Sequence, residues 1–373
     1  MRIVHFSDTH LGHQQFSRAD PETGLNQREQ DHYDVFEQII QHCLETRPDL
    51  VIHAGDLFDG VRPSNRALAV ALHGFVRLDR AGISTVVIAG NHEHPKMLET
   101  GSPFRLFDHL ENIHAVYRGM RGRIEVGGRI IHALPQCQDN DALRQEMAAV
   151  VEDAEQRPGQ DVLIMHGGVM GLDAFHHAEF NELSIDPAWF TGPAAERFAY
   201  VALGHYHGRT EISTRAHYCG APDRVSIKES GETKGFLEAD LATGQVALVP
   251  TRVRAYADLP VIHGGGLDAT QVQTACEQAL ARLPDGAVAR LRVVDLSPDL
   301  RGSLDWKAIR QAAAHVLDLN LDARFADDSH HAATGAHLES LQQEFDAYAA
   351  TYPLEGMDRK QVLAAARGLL GDA

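Results

Sequence analysis

The sequence predicts an α/β fold, a layered sandwich in which strands and helices alternate over residues 1–255. Three observations carry that expectation. Short apolar runs alternate with amphipathic stretches. Several runs are apolar without interruption, as in strands covered on both faces. Five of them end in a turn bearing aspartate, asparagine or histidine. Ile3–Ser7 leads into Asp8-Thr9-His10, Leu50–Ala54 into Gly55-Asp56, and Ser84–Ala89 into Gly90-Asn91-His92-Glu93. Val162–Met165 leads into His166-Gly167-Gly168, and Tyr200–Leu203 into Gly204-His205-Tyr206-His207. Gly128–Ala133 and Gly235–Asp240 are further strand candidates. Between the first two runs Val35, Phe36, Ile39, Ile40, Cys43 and Leu44 form one helical stripe, with Pro48 as a stop signal. A second helix is expected from Ser64 to Ala81, with Ser64 as N-cap just after Pro63.

A second unit is expected over residues 256–326. Its pattern is a helix near Ala269–Leu283, a strand Val288–Leu296, a helix near Leu304–Val316 and a strand near Leu319–Phe325. This reads as a small α+β module without a catalytic signature. Residues 327–336 are small and polar and read as a linker. Two amphipathic helices follow over residues 337–373: Leu338, Leu341, Phe345 and Tyr348 on one stripe, Val362, Leu363 and Leu369 on the other. Such a pair either folds back on the second unit or buries its stripes on another protein.

Bulk properties narrow the function. No run of about 18 apolar residues exists, so no membrane span is expected. The chain opens directly on a strand, without a basic-then-apolar leader, so a cytoplasmic protein is expected, nucleoid-associated if bacterial. Cys43, Cys137, Cys219 and Cys276 form no CxxC pair and read as reduced, buried thiols. The formal net charge of −18 argues against a stand-alone nucleic-acid binder. It leaves room for an enzyme acting on nucleic acid, because two divalent cations place about four positive charges where a phosphate must sit.

The five turns hold the donor types of a two-metal phosphoesterase site. Asp8 and His10, two apart, can reach one ion. The Asp56 carboxylate has two oxygens and can bridge two ions, while Asn91 offers a neutral amide oxygen. His166 has room beside Gly167 and Gly168. His205 and His207 can each reach one ion, or one can ligate while the other lies near the phosphate. His92 is adjacent to a donor but points elsewhere and is available for proton work. Asp59 reads as a solvated or helix-capping acid. Carboxylate, imidazole and amide oxygen together suit manganese, iron or zinc rather than calcium. Each histidine alone would more often be a packing residue; five such segments in this order leave little room for that.

The ordered set resembles the calcineurin-like metallophosphoesterases. Within them, His10-Leu11-Gly12, Gly55-Asp56-Leu57-Phe58-Asp59, Arg62-Pro63-Ser64 and Gly90-Asn91-His92-Glu93 are similar to the nuclease subunit of SbcCD-type DNA-repair complexes, whose eukaryotic and archaeal relative is the meiotic-recombination nuclease. Tyr218-Cys219-Gly220-Ala221-Pro222 and Lys234-Gly235-Phe236 also resemble that subfamily. The resemblance implies a four-layer αββα sandwich with a capping domain and a helical tail that grips an SMC-like coiled-coil ATPase. It implies one ion held by Asp8, His10, Asp56 and His207, and another by Asp56, Asn91, His166 and His205. The cofactor implied is a pair of divalent ions, manganese first, with iron, zinc or magnesium as alternatives. His92 would stabilise the transition state or protonate the leaving oxygen during hydrolysis of DNA phosphodiesters. The activities implied are exonuclease and single-strand endonuclease, in a homodimer to which the Val35–Leu44 stripe could contribute. Arg18, Arg28, Arg62, Arg118, Arg121 and Arg123 are the candidates for phosphate contact. The acidic balance and a long loop from Gln14 to Gln30 depart from the family pattern. Two rival classes remain: a phosphodiesterase or phosphatase for a small nucleotide or lipid headgroup, and an inert scaffold that keeps the fold.

Overall fold

The computed structural model describes residues 1–20, 22–94, 101–171 and 182–326. The expected linker and the helical tail with Leu338, Leu341, Phe345, Tyr348, Val362, Leu363 and Leu369 lie outside the described residues. The chain divides into two compact units. The first holds Met1–Asp258, Arg282–Arg290 and Ala313–Asn320, and the second begins at Leu259.

Twelve strands of the first unit build two large sheets. In chain order they are Arg2–Phe6 (β1), Leu50–His53 (β2), Thr85–Ile88 (β3), Ile113–Val116 (β4), Gly122–Val126 (β5) and Arg129–Leu134 (β6). Val162–His166 (β7), Tyr200–Gly204 (β8), Thr210–Ser213 (β9), Ala216–Tyr218 (β10), Gly235–Asp240 (β11) and Gln245–Pro250 (β12) follow. One sheet has the order β12-β11-β1-β2-β3-β4, the other β9-β10-β8-β7-β6-β5. β1 to β4 run parallel, as do β6, β7, β8 and β10. The strands that carry the five turns therefore end on the same edge of their sheets.

Alternation along each strand divides the apolar residues between two faces. Ile3, Leu50, Ile52, Val86 and Ile88 of one sheet meet Ile131, Ala133, Val162, Ile164 and Ala202 of the other in a shared core. Val4, Phe6, Val51 and Val87 point the opposite way, against helices Gln27–Thr46 (α1) and Asn65–Arg80 (α2). Leu163, Met165, Val201 and Leu203 do the same against Asn140–Glu155 (α3). The result is four layers, αββα, as expected. Val35, Phe36, Ile39, Ile40 and Cys43 are buried against this chain's own sheet, so that stripe is closed to a second subunit. The long loop is shorter than expected, because α1 begins at Gln27 on the Asn26 cap, whose side chain accepts the Arg28 and Glu29 amides. Helix α3 and strands β4, β5, β9, β10 and β12 escaped the sequence reading. All four cysteines are buried and unpaired.

In the second unit Val272, Cys276 and Leu280 are the buried face of helix Ala269–Leu280 (α4), which starts at a capping box on Asp268. Helix Trp306–Ala312 (α5) is shorter than the sequence suggested.

Candidate metal centre

Backbone hydrogen bonds stitch the first two turns together, and the Gly167 amide joins the fourth to the fifth by donating to the Gly204 carbonyl at 3.2 Å. The Asp8 amide donates to the Gly55 carbonyl (2.9 Å), that of His10 to Asp56 (3.1 Å) and that of Leu11 to Leu57 (2.8 Å). Asp8, His10, Asp56 and His205 all have positive φ, at 53°, 43°, 55° and 101°. Left-handed backbone at a non-glycine residue costs on the order of 1 kcal/mol or more and persists where its surroundings over-determine it. Here they do: both Asp8 oxygens accept the His205 amide at 3.1 Å, and Asp56 accepts that of His92 at 3.1 Å. Two glycines make room. Gly55 has φ 99°, and a Cβ there would run into the His166 ring. A Cβ at Gly90 would run into the Asp56 carboxylate.

The side chains so placed form two adjacent donor groups. Asp8, His10 and His207 offer atoms that all lie within 4.8 Å of one another, and so do Asp56, His166 and His205. Asn91 joins the second group, its Oδ1 lying 2.9 Å from His166 Nε2 and 3.2 Å from His205 Nδ1. In the first group His10 Nε2 faces His207 Nε2 at 3.2 Å.

Electrostatics shows that this pocket is built around positive charge. Burial pushes the Asp8 and Asp56 carboxyls up, yet the imidazoles around them hold both below the usual range. Burial also opposes a charge on His166, but the Asp56 carboxylate, 3.3 Å away, raises that imidazole to about 9. A proton there stands where a cation would. The donor set, with oxygen and imidazole nitrogen converging and no thiolate, fits two borderline divalent cations. His166 Nδ1 donates to the Ala54 carbonyl at 2.8 Å, which leaves Nε2 with its lone pair facing the donor group.

Sequence reasoning missed the layer behind the donors. Asp59 is partly solvated, as expected, but also faces the donors: its carboxylate lies 3.3 Å from His10 Nδ1 and 3.1 Å from His13 Nδ1. Burial would push that carboxyl up, but the two imidazoles hold it well below the usual range. Glu93 is fully buried and accepts the Phe58 (2.7 Å) and Gly90 (2.9 Å) amides, tying two donor turns together. Glu182 meets His205 Nε2 at 2.9 Å, and Glu229 lies 3.7 Å from His207 Nδ1 and 2.5 Å from the buried Lys234 ammonium. Ser7 donates to Asp8. Glu93 had a signal in the Gly90–Glu93 turn, and Asp59 and Lys234 had theirs in the Gly55–Asp59 and Lys234–Phe236 segments; nothing in the spacing marks Glu182 or Glu229, which are brought in from separate loops.

His92 stands beside the donors, its Nε2 3.9 Å from Asp56 Oδ2. It also comes together with His10 and Asp59, one donor atom of each within 4.8 Å of the others. Its Nδ1 lies 3.1 Å from the Asp59 carbonyl, an acceptor only, so Nδ1 carries a proton and Nε2 faces the site.

The arginines separate. Arg28 is a correction: it is completely buried and pairs with Asp31 and Asp223, so its guanidinium cannot reach a phosphate. Arg121 is held by Asp153 at 2.7 Å, with Arg123 3.8 Å from the same carboxylate. Arg18 is exposed but donates to the Val316 carbonyl at 2.6 Å. Arg62 is exposed, and Arg118 is 73% exposed.

Residues 1–225 match the family of calcineurin-like phosphoesterases. The chain is 32% identical over 212 residues to the DNA double-strand break repair protein Mre11 of Methanocaldococcus jannaschii, covering 56% of this chain and 52% of that one. It is 32% identical over 236 residues to the protein of the same name from Sulfurisphaera tokodaii, covering 61% and 55%. The chain thus spans about half the length of the curated relatives it matches. Among solved structures, TT1561 of Thermus thermophilus aligns with a TM-score of 0.42 and 11% identity, over 67% of this chain and 99% of that one.

Proposed function

The chain belongs to the calcineurin-like phosphoesterase family, and from that premise we propose that it is a two-metal DNA nuclease of the repair type, exonuclease and single-strand endonuclease, working with an SMC-like ATPase. One observation carries the reading: seven donors, Asp8, His10, Asp56, Asn91, His166, His205 and His207, converge on two adjacent groups with His92 at their side. The names of the archaeal relatives favour DNA as the substrate.

Asp8, His10 and His207 would hold one ion and Asn91, His166 and His205 the other, with Asp56 serving both. Two divalent cations, manganese first, supply the positive charge that draws in a phosphodiester and the Lewis acidity that activates water for in-line displacement. The protein's own share is orientation and proton handling. Carbonyl and carboxylate partners on the far nitrogens of His166, His10 and His205 point the near nitrogens at the ions. His92, fixed through Nδ1, turns Nε2 to the site, where it would stabilise the transition state, protonate the departing sugar oxygen, or both. Of the candidate arginines, the exposed Arg62 and Arg118 would meet the DNA backbone. The ATPase would bind the tail helices through Leu338, Leu341, Phe345, Tyr348, Val362, Leu363 and Leu369. A homodimer would use a surface other than the buried α1 stripe.

The test is cleavage of linear duplex and circular single-stranded DNA with manganese, beside a generic phosphodiester. Cleavage of DNA that chelator or Asp56→Asn abolishes is the expected result. Turnover of nucleotides without DNA cleavage would overturn the choice of substrate, and stoichiometric metal binding without any hydrolysis would mark an inert scaffold.

A further inference from the structure

Arg28 is the largest fully buried side chain among the described residues. Its guanidinium donates to Asp31 and Asp223 (2.9 Å to Asp223) and to the Arg224 carbonyl at 2.5 Å, and it lies 5.3 Å from the Tyr256 ring. Asp31 in turn is gripped by Arg254 through two contacts of 2.6 Å. Buried ion clusters of this kind add little stability over well-packed apolar residues. What they provide is fixed geometry, and Arg in particular presents donors in a rigid planar fork.

Two arms lead from this cluster to one donor group. In the first, Arg28 Nη2 lies 3.4 Å from His32 Nε2, and His32 Nδ1 lies 3.1 Å from the Thr9 carbonyl. A carbonyl only accepts, so His32 donates from Nδ1 and turns the lone pair of Nε2 to the guanidinium. Thr9 is the residue between Asp8 and His10, whose backbones are both left-handed. In the second arm, Arg28 fixes Asp223, two residues beyond Ala221, and the Ala221 amide donates to the His207 carbonyl at 3.0 Å. The other donor group is braced by different contacts: the Ala54 carbonyl on His166, and the Tyr218 hydroxyl, which donates to the Gly167 carbonyl at 2.6 Å and accepts the Val169 amide at 2.9 Å.

We propose that Arg28, Asp223 and His32 form a positioning network that sets the Asp8, His10 and His207 donors directly and reaches the Asp56, Asn91, His166 and His205 donors only through them. The proposal rests on the two-metal reading above, and it predicts an asymmetric loss. It is tested by manganese titration of the full chain, followed by calorimetry and by the exchange-coupled two-ion signal in electron paramagnetic resonance. Two variants break the network at different points: R28M/D223L, which removes both buried charges together, and His32→Leu, which cuts the arm to Thr9 and keeps the ion cluster. The wild-type chain is expected to bind two ions. Each variant should weaken one ion at least tenfold more than the other, with the coupled signal gone. His32→Gln, which still offers a donor to the Thr9 carbonyl, should restore the second ion. Two ions at wild-type affinity in His32→Leu would overturn the proposal, and so would equal weakening of both, which marks a general loosening. A wild-type chain that binds no manganese would overturn the two-metal reading itself, and the network's role with it.

Discussion

At Asp8, His10, Asp56 and His205 the backbone itself is committed to the site, held in a conformation that L-residues avoid. Each is fixed by contacts that would serve little purpose if the side chains had no common target. Gly55 shows how tight the arrangement is. Gly55→Ala would place a methyl group in the His166 ring at φ 99°. We expect it to destabilise the fold by about 1–3 kcal/mol and to weaken metal binding at least tenfold; a melting curve and a manganese titration would show both, and an unperturbed titration would refute the second. His92 predicts the opposite pattern. Its imidazole stands outside the two donor groups proposed to hold the ions, so His92→Ala should leave metal binding intact while turnover falls by about 10²–10⁴. Metal loss in proportion to activity loss would instead make His92 a ligand.

At the scale of elements, the helices are anchored by their caps. The Ser64 hydroxyl accepts the Ala67 amide at 3.1 Å and starts α2, as Pro63-Ser64 suggested. Ser64→Ala should cost about 1 kcal/mol, read as a shift in the urea midpoint with unchanged slope; no shift would mean that packing of Ala67, Ala71, Phe75 and Leu78 alone sets where the helix begins. The donor turns need no such caps. Each follows a strand that runs parallel to the neighbouring turn-bearing strand of its sheet, so the turns of a sheet leave it in one direction, and the amides of Asp8, His10 and Leu11 pair with the adjacent turn.

For the molecule as a whole, buried histidines make stability depend on pH. Burial lowers His5 and His53 from 6.5 to about 3 in the folded chain. Between those values the unfolded chain takes up a proton on each and the folded chain does not. Their contribution is therefore complete above pH 6.5 and is lost as pH falls towards 3. Each adds a slope of up to about 1.4 kcal/mol per pH unit. The share of these two imidazoles in going from pH 6.5 to 5.5 is thus a cost of about 2 kcal/mol of unfolding free energy, measurable by urea titration against variants that lack them. His5→Gln should remove roughly half of that slope; an unchanged slope would show that His5 does not stay neutral. The net charge of −18 also bears on substrate capture. Of the six candidate arginines, Arg28 is buried and Arg121 and Arg123 share Asp153, which leaves Arg18, Arg62 and Arg118 exposed. Any DNA affinity must come from the bound cations, a few exposed arginines or a partner.

The sequence by itself determined the layered α/β alternation and where the candidate donors lie in the chain, because both are written in short-range pattern, while the number of layers followed from the family resemblance. Strand periodicity marked β1, β2, β3, β7, β8 and β11 to within a residue or so, and the residue types of the turns named the metal chemistry. Helix α3 was missed although Leu143, Met147, Val150 and Ala154 lie at helical spacing, and edge strands such as β5 and β12 are half-exposed and lack the unbroken apolar run of a central strand. Only the tertiary structure decided what stands behind the donors. Arg28 looked like any surface arginine until its fork was seen closing on Asp223, 195 residues away. Asp59, Glu182 and Glu229 became supports of the histidines in the same way. Such contacts join residues far apart in the chain, and no local periodicity encodes which distant charge a folded backbone will bring to a given side chain.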